Sequence, residues 1–526
     1  RLVLVHGEAG IGKSRLVDTL EENAAMDSGT RLAIARGSSY QQNSAFYPIQ
    51  VMFEKYIFHF EDNDASEDKL DKLEQFQRGS EFDKETFMPL ITEFLFLSTE
   101  KYPPPNMSPF AKRQKTLDYL TRILLQEANR KSLLFILEDL HWIDPSTLEW
   151  LNLLIDEIKG KKILILCTTR PGLKTDWKNK SQFVQINLER LSSESTADIC
   201  HHQTRGKTLP KEVLNQIATK TEGVPLFVEE LTKMLIESDM LVEKEKGFEI
   251  SGPLSSLSIP STLQDSLLAR LDRLDEVKEI VQIGSVLGRE FSMGILNAVL
   301  PERKSDLEQS LFKLIDSEIL YQSGPENQKV YQFKHALIQE TAYESLLKSK
   351  RQKIHQKVAD VLENQFNSMV GMQPELLAHH YTQASQPDQA IPLWLKAGQM
   401  ASQKNAALEA IAHLGQGLDL LHHLKNETDR NNLELDFRLT LGGTYVVSHG
   451  FPHPKVKETF DQAREIAQKI EVNPKLALIL LNLLSYYFNT EDYSSMKEIS
   501  DYTWTLARDP DNGYWFELVV NQLGDG

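Results

Sequence analysis

Gly7-Glu8-Ala9-Gly10-Ile11-Gly12-Lys13-Ser14 follows the apolar run Leu2-Val3-Leu4-Val5 and precedes a helical pattern that starts at Arg15. The stretch has the form G-x-x-x-x-G-K-[ST] between a strand and a helix, which is the setting of a phosphate-binding P-loop. Its glycines let backbone N–H groups surround phosphate oxygens, and the following helix adds its positive dipole end. We therefore expect Lys13 to contact the β and γ phosphates of a nucleotide and Ser14 to present its hydroxyl to Mg²⁺.

Residues 1 to about 190 alternate apolar runs with helical periods, and between the second and third runs, at about 41–130, lies a mostly helical insertion. Such apolar strands predict a parallel sheet that is buried on both faces. We therefore expect an α/β P-loop NTPase core over residues 1–190. The predicted strands are Leu2 to His6, Arg31 to Arg36, Leu133 to Leu137, Ile163 to Thr168 and Phe183 to Leu188.

The third predicted strand ends in two adjacent carboxylates, Glu138 and Asp139. A P-loop enzyme needs one acid to hold Mg²⁺ directly or through water and another to polarise the attacking water. The pair predicts the catalytic acids that act with Lys13, and Asp144 with Pro145 predicts the start of the next helix.

The fourth predicted strand ends at Arg170, where a cation would lie beside the acidic strand end. There it could sense the γ phosphate, and the alternative is a strand-end arginine in water.

Two further segments are predicted between the P-loop core and residue 350. A helical lid is predicted at 191–255, with the clearest linker at 251–260. Residues 256–350 give helices followed by a hairpin, Ile319 to Gln322 and Val330 to Phe333, which is a winged-helix pattern. The helix before this hairpin mixes basic and acidic residues, which is unlike a DNA-reading helix.

Residues 351–526 are predicted to be all helical, with the character of tetratricopeptide (TPR) repeats. Later copies are degenerate and longer than the consensus. Arrays of this kind stack into concave surfaces that bind other proteins, so we expect protein partners here. The residues that follow the repeat spacing are Trp394, Ala397, Gly398, Ala401, Ala410, Leu414 and Gly417.

Composition limits the class of protein. The 58 basic residues against 75 acidic ones give a net charge of -17, so no general surface for nucleic acid or anionic lipid is expected. The apolar runs are far shorter than the ~20 residues that cross a bilayer. The two cysteines, Cys167 and Cys200, have no metal or redox spacing, which favours the cytoplasm. Because the first residues are already the P-loop strand, we expect a piece of a longer protein.

The motifs GEAGIGKSRL, FILEDLHWIDPSTLEWL, GVPLFVEELTKMLIES, IPSTLQDSLLARLDRL, FKHALIQETAYESLL and ELLAHHYT carry a family resemblance. In this order they resemble the bacterial ATPase and TPR region attached to class III adenylate or guanylate cyclases. That region belongs to the STAND class of signal-transducing P-loop ATPases. In this class the nucleotide sits between the P-loop domain and a lid of helical and winged-helix parts, and ATP or ADP occupancy closes or opens the sensor.

The resemblance implies specific site residues. Gly7 to Ser14, with Arg15, would bind the phosphates of ATP or ADP, and Arg170 would act as the sensor. Pro225 would pack near adenine, and His335 would hold the β phosphate of ADP or else be satisfied locally. Ser14, Glu138 and Asp139 would hold Mg²⁺. Which acid meets the metal stays open, because Glu138 stands where many relatives have Asp.

The sequence therefore predicts an ATP-binding switch with slow hydrolysis, in which the repeats sense a signal and an attached output domain responds. One alternative is the regulatory part of an adenylate or guanylate cyclase whose catalytic domain lies upstream. A transcriptional regulator is another, and a ring-forming motor ATPase a third. No cyclase chemistry can be read from these residues.

Overall fold

The structure is a computed structural model of the chain. The residues that it describes are 1–38, 41–61, 64–237, 241–244, 247–251, 262–323, 329–470 and 475–507.

The first domain is built on a five-stranded parallel sheet with the order β2-β3-β4-β1-β5. The five predicted strands are present, each within one residue of its expected ends, and the α/β fold class is confirmed. Burial on both faces holds for the inner strands but is wrong for β5, most of which is exposed because it is an edge strand. The strands are β1 (Leu2–His6), β2 (Thr30–Arg36), β3 (Ser132–Glu138), β4 (Ile163–Thr169) and β5 (Phe183–Asn187).

Helices cover this sheet, and the segment between β2 and β3 is mostly helical, as predicted. That segment shares the aromatic core of the sheet: the ring of Trp150 lies 6.1 Å from Phe53 and 5.9 Å from Phe135. The helices are α1 (Lys13–Met26), α2 (Tyr47–Met52) with a π-helical turn (Phe53–Ile57), α3 (Ser66–Arg78), α4 (Lys84–Phe94), α5 (Pro109–Arg130) and α6 (Pro145–Glu157).

A small helical unit with its own apolar core follows the sheet. The structure does not describe residues 252–261. The predicted linker at 251–260, apart from residue 251, and the predicted domain boundary at 255 therefore lie outside the described residues. The unit comprises α7 (Ser193–Gln203), α8 (Lys211–Thr221), α9 (Pro225–Ile236) and the hairpin β6 (Leu241–Glu243) and β7 (Phe248–Ile250).

The predicted winged-helix segment contains the expected helices and the expected hairpin. The hairpin is extended by a third strand, β8, which pairs with β10 in a sheet of order β8-β10-β9. Three residues are too few to show a strand period, so the sequence does not reveal β8. The elements are α10 (Leu263–Asp272), α11 (Lys278–Leu287), β8 (Glu290–Ser292), α12 (Met293–Val299), α13 (Leu307–Asp316), β9 (Leu320–Ser323), β10 (Val330–Phe333) and α14 (Ala336–Glu344).

The C-terminal region is helical, as predicted, and consecutive helices pack together. Close packing depends on small residues: a Cβ on Gly417 would lie 2.2 Å from the Phe437 ring, and one on Gly442 would lie 2.6 Å from the Phe460 ring. The helices are α15 (Lys348–Gln365), α16 (Asn367–Met372), α17 (Pro374–Gln383), α18 (Pro387–Gln403), α19 (Ala407–Leu420), α20 (Glu427–His449), α21 (Pro454–Ala467), α22 (Lys475–Asn489) and α23 (Tyr493–Ala507).

None of the helices in the described ranges combines the length and the apolar character needed to span a bilayer.

Candidate nucleotide site

The candidate site lies at the carboxyl edge of the parallel sheet, where β1, β3 and β4 end side by side. Backbone N–H groups link these strand ends: Gly7 N–H donates to the carbonyl of Thr169 at 3.2 Å, and Asp139 N–H donates to the side-chain Oγ1 of Thr168 at 2.9 Å. The sheet order therefore brings together three motifs that are far apart in sequence: the loop after β1, the acids after β3 and Arg170 after β4.

The loop after β1 has the backbone that its glycines permit. Gly10 and Gly12 have φ angles of 75° and 102°, in the left-handed region that disfavours other residues. The ammonium of Lys13 donates to the carbonyls of Gly7 and Glu8, each at 2.8 Å. α1 begins at Lys13, so its first turn points at this loop, with Ser14 half-buried and Arg15 exposed.

Lys13, Asp139 and Arg170 are close enough for their charges to act on one another. Burial lowers the pKa of Lys13 to about 8, while the negative charge of Asp139 raises it and the positive charge of Arg170 lowers it further. Lys13 is thus mostly protonated at neutral pH, and the negative charge of Asp139 favours this form.

The two acids after β3 have different surroundings. Glu138 is buried, with Oε1 2.7 Å from Arg36 Nε, and Arg36 also contacts Glu21 of α1 at 3.2 Å. All of these groups belong to the first domain. Asp139 has a φ of 54°, and its negative charge acts on Lys13. Of the two carboxylates, Asp139 is therefore the one associated with the P-loop lysine.

Asp139 has a partner that sequence reasoning missed. Its Oδ2 lies 2.6 Å from Nη1 of Arg289, which follows α11 in the winged-helix domain. Both side chains are largely shielded from solvent, at 16% and 14% exposure. No local pattern marks this arginine, because its partner is 150 residues away in sequence.

Arg170 also reaches the winged-helix domain. Its Nη2 lies 2.9 Å from Oε1 of Glu340 on α14, and both side chains are partly exposed. Directly before α14 stands His335, whose pKa is lowered to about 4 by burial and by nearby cations that include Arg289. His335 is therefore neutral at physiological pH, and the charge of Arg289 acts on it.

A second histidine at the site, His141, belongs to the motif FILEDLHWIDPSTLEWL, but no role was assigned to it from the sequence. His141 follows Asp139 in a short 3-10 turn, and burial, together with the cations Arg170, Lys13 and Arg289, lowers its pKa to about 4. Its ring nitrogens are buried and have no hydrogen-bond partner among the described residues. A neutral imidazole is thus present beside the P-loop lysine and the acids.

The small helical unit that follows the sheet, α7 to α9, also contacts the P-loop. Leu226 N–H donates to the carbonyl of Gly10 at 3.1 Å, which places Pro225, the first residue of α9, beside the loop. Glu8 Oε2 lies 3.0 Å from Arg190 Nη2, and Arg190 also pairs with Glu222 before α9. Arg190 thereby links the P-loop to the start of α9.

The donor set suits Mg²⁺. This cation prefers oxygen ligands and is commonly bound by one or two carboxylates together with substrate phosphates and water. The hydroxyl of Ser14 on the first turn of α1 and the carboxylates of Asp139 and Glu138 at the end of β3 supply such oxygens at the same sheet edge.

The helical repeats contact the first domain close to the acids. Ser146, in the first turn of α6, donates its backbone N–H to Glu409 Oε1 of α19 at 2.8 Å. Asp144 caps the same helix: its Oδ1 accepts from the N–H groups of Thr147 and Phe46 at 2.8 and 2.9 Å. The predicted N-cap is therefore observed, and a repeat helix adds a second acceptor to it.

Other repeat residues extend this contact. Ser44 Oγ donates to Glu375 Oε1 of α17 at 2.6 Å, and the ammonium of Lys404 lies 3.7 Å from the centroid of the Phe96 ring. The repeats therefore rest on both α6 and the helical insertion.

Known proteins resemble this chain in parts. A family profile described as an AAA ATPase domain matches residues 1–166. An uncharacterized protein of Rhizobium meliloti (strain 1021) is 26% identical over 367 residues, covering 69% of this chain and 35% of the relative. Adenylate cyclase type 10 of Rattus norvegicus is 22% identical over 508 residues, covering 86% of this chain and 31% of the relative. The chain thus spans about a third of the length of these curated relatives.

Among solved structures, a STAND protein with a TPR sensor from Pyrococcus horikoshii aligns with 98% of this chain and 76% of its own. The TM-score is 0.41 and the identity 12%. Of the family resemblance predicted from the motifs, the profile match confirms an AAA ATPase domain over residues 1–166.

Proposed function

We propose that the chain is an ATP-binding switch that hydrolyses ATP slowly to ADP and phosphate and regulates an attached output domain. The P-loop, Gly7 to Ser14 with Arg15 at its helical end, binds the phosphates. One observation carries the proposal: the charged residues of the nucleotide site are also the residues that hold the winged-helix domain. Asp139 pairs with Arg289 and Arg170 pairs with Glu340. A nucleotide that engages Asp139 and Arg170 therefore alters the domain contact.

The residues of the site suit ATP hydrolysis. Lys13 and Arg170 place positive charge where the γ phosphate would lie, which stabilises negative charge in the transition state. Mg²⁺, when bound, would neutralise charge on the β and γ phosphates. We assign Ser14 and Asp139 to the metal and Glu138 to the orientation of the attacking water. Because Glu138 has to leave its ion pair with Arg36 first, we expect slow turnover.

The remaining predicted residues fit a nucleotide held between domains. Pro225 lies beside the P-loop at the start of α9, where the resemblance places adenine. His335 is neutral and half-buried near Arg289, and we assign it to the β phosphate of ADP. Its neutral ring can donate one hydrogen bond to a phosphate oxygen.

The repeats are assigned to sensing and to protein partners. Their contact with α6 begins at Ser146, seven residues after Asp139 in sequence. A partner that pulls α19 away from α6 removes an acceptor from the start of the helix that follows the catalytic acids. The repeats can thereby influence the nucleotide site without touching the nucleotide.

The test is the identity and turnover of nucleotide in the purified chain. Bound nucleotide is released by denaturation and identified, and the hydrolysis of added ATP is then timed. Tightly held ADP with turnover in minutes or longer supports a switch. Rapid multiple turnover from a weakly binding site contradicts it.

Lys13→Ala is the variant that tests the site itself. It removes the cation that faces the phosphates, so ATP and ADP binding should be lost, as measured by calorimetry. Lys162→Ala, at an exposed lysine before β4, is the matched control and should bind like the wild type. Unchanged ATP affinity in Lys13→Ala would refute the assignment.

A cyclase is the output that we favour, because adenylate cyclases are among the relatives that match most of this chain. On this reading the chain is the regulatory part and the chemistry resides in another domain of the same protein. The coding sequence on either side of this segment tests it: a domain with paired metal-binding aspartates supports a cyclase, and a DNA-binding domain favours a transcriptional regulator.

A further inference from the structure

The ion pair between Asp139 and Arg289 joins the catalytic edge of the sheet to the winged-helix domain. Nη1 of Arg289 lies 2.6 Å from Oδ2 of Asp139, and both side chains are largely shielded from water. A charge-assisted hydrogen bond in such a setting is stronger than an exposed ion pair. The contact therefore contributes to holding the two domains together.

Local structure fixes the position of Arg289 within its own domain. α11 ends at Leu287, and the next residue, Gly288, has a φ of 132° that turns the chain into β8. The carbonyl of Arg289 accepts a hydrogen bond from Phe333 N–H of β10 at 3.0 Å. Because the backbone is held on the winged-helix sheet, the guanidinium moves with that domain.

The same carboxylate is the oxygen donor that we assign to Mg²⁺. A guanidinium at hydrogen-bond distance and a divalent cation cannot share one carboxylate at full strength, because the two cations repel each other and the metal needs the oxygen lone pairs. Glu138 does not create this conflict between domains, because its partner Arg36 lies on β2 of the same domain.

Space exists into which Arg289 can withdraw. A cavity of about 340 Å³ lies between the first domain, the winged helix and the C-terminal helices, and Arg289, Arg36, Tyr47 and His380 are among its lining residues. The arginine can therefore leave Asp139 without first displacing a packed core.

We propose that Arg289 and Mg²⁺ bind Asp139 alternately, so that the metal, more than the nucleotide alone, releases the winged-helix domain. The inference rests on the nucleotide site of the proposed function. By linkage, a cation that binds only the released arrangement shifts the population toward release, and the winged helix in turn weakens metal binding.

The experiment compares the wild-type chain with Arg289→Gln, which keeps much of the side-chain size and removes the charge. A fluorescent ADP analogue is held at constant concentration while Mg²⁺ is titrated. Two quantities are recorded: the Mg²⁺ midpoint of the fluorescence change, and the hydrogen exchange of the backbone amides of β8 (Glu290–Ser292). Neither depends on ATP turnover.

We expect Mg²⁺ to accelerate exchange at β8 in the wild-type chain. In Arg289→Gln, exchange should be fast before metal is added and respond less than twofold to it. The Mg²⁺ midpoint should fall about tenfold, which corresponds to the loss of one hydrogen bond between charged groups. Arg289→Lys keeps a cation and should have a midpoint closer to that of the wild type.

Glu340→Gln is the matched control, because it removes a second ion pair between the same two domains without touching Asp139. Its β8 amides should still respond to Mg²⁺. Normal ADP binding with the same Mg²⁺ midpoint in wild type and Arg289→Gln would overturn this inference alone. A wild-type chain that binds no nucleotide would overturn the proposed function and the inference with it.

Discussion

The winged-helix domain and the helical repeats both rest on the AAA ATPase domain, but they are held by different chemistry. The described winged-helix contact includes two ion pairs, Asp139 with Arg289 and Arg170 with Glu340, made by residues of the candidate nucleotide site. The repeat contact includes a buried carboxylate, Glu409, on a helix N-terminus, and small apolar residues packed against Ala45.

This difference suggests that each contact responds to a different input. In the proposed function, phosphates and metal compete with the ion pairs of Asp139 and Arg170, so we expect the winged-helix contact to respond to the ligand. A buried helix cap does not meet the ligand, and its strength depends on protonation and on forces applied to the repeats. The following changes test this division, beginning with the largest expected effect.

Asp144→Asn tests the pH dependence of the repeat contact. Burial raises the pKa of Asp144 to about 7, and the charge of Glu409 adds to the rise, although N–H groups of Phe46 and Thr147 oppose it. The folded protein thus holds this proton more tightly than the unfolded chain, whose pKa is about 4. The resulting stability is present below the unfolded pKa and is lost as the pH rises through about 7.

Between pH 5 and 8 the wild type should therefore lose about 2 to 3 kcal/mol more stability than Asp144→Asn, whose amide cannot ionise. Asparagine keeps the carbonyl oxygen that caps α6. Apparent melting temperatures of both proteins across this pH range give the comparison. Parallel pH profiles would show that Asp144 does not titrate in the folded protein.

Glu409→Ala tests the repeat contact itself. It leaves Ser146 N–H without its acceptor at the start of α6, so docking should weaken by about 1 to 2 kcal/mol. Protease sensitivity of the segment between the repeats and the winged helix, and hydrogen exchange in the first turn of α6, report the change. Glu427→Ala, at an exposed residue in the first turn of α20, is the control and should behave as the wild type.

Glu340→Gln gives the smallest expected effect on stability. Its ion pair with Arg170 is partly exposed, and such pairs contribute about 0 to 1 kcal/mol and weaken with salt. Exchange at the winged-helix sheet should increase slightly at low ionic strength and match the wild type at high salt. An effect that persists in high salt would mean that Glu340 acts by packing instead.

Most of the fold could be predicted from the sequence because its signals are local. The strands of the sheet were expected within one residue of their ends, since each is an apolar run bounded by polar residues. The P-loop was read from eight consecutive residues, and Gly417 in the repeat spacing lies where a side chain would collide with Phe437. The short strand β8 was missed because three residues are too few to show a strand period, and the exposure of β5 was not foreseen because edge position is not encoded in a local pattern.

The candidate site likewise contains residues that the sequence predicted and partners that it did not. Lys13, Ser14, Glu138 and Asp139 belong to motifs whose spacing is typical of phosphate and metal binding, so the sequence alone predicted these roles for them. Their partners could not be foreseen: Arg289, Glu340 and Glu409 are ordinary surface-type residues between about 150 and 260 positions away from the groups they contact.

Only the tertiary structure decided which acid faces the P-loop lysine and which is held by Arg36. The physical reason is that an ion pair depends on distance and burial rather than on sequence spacing. Local order fixes strands, turns and motif residues, whereas the packing of the helical unit and the winged-helix domain onto one sheet edge fixes which charges neutralise each other.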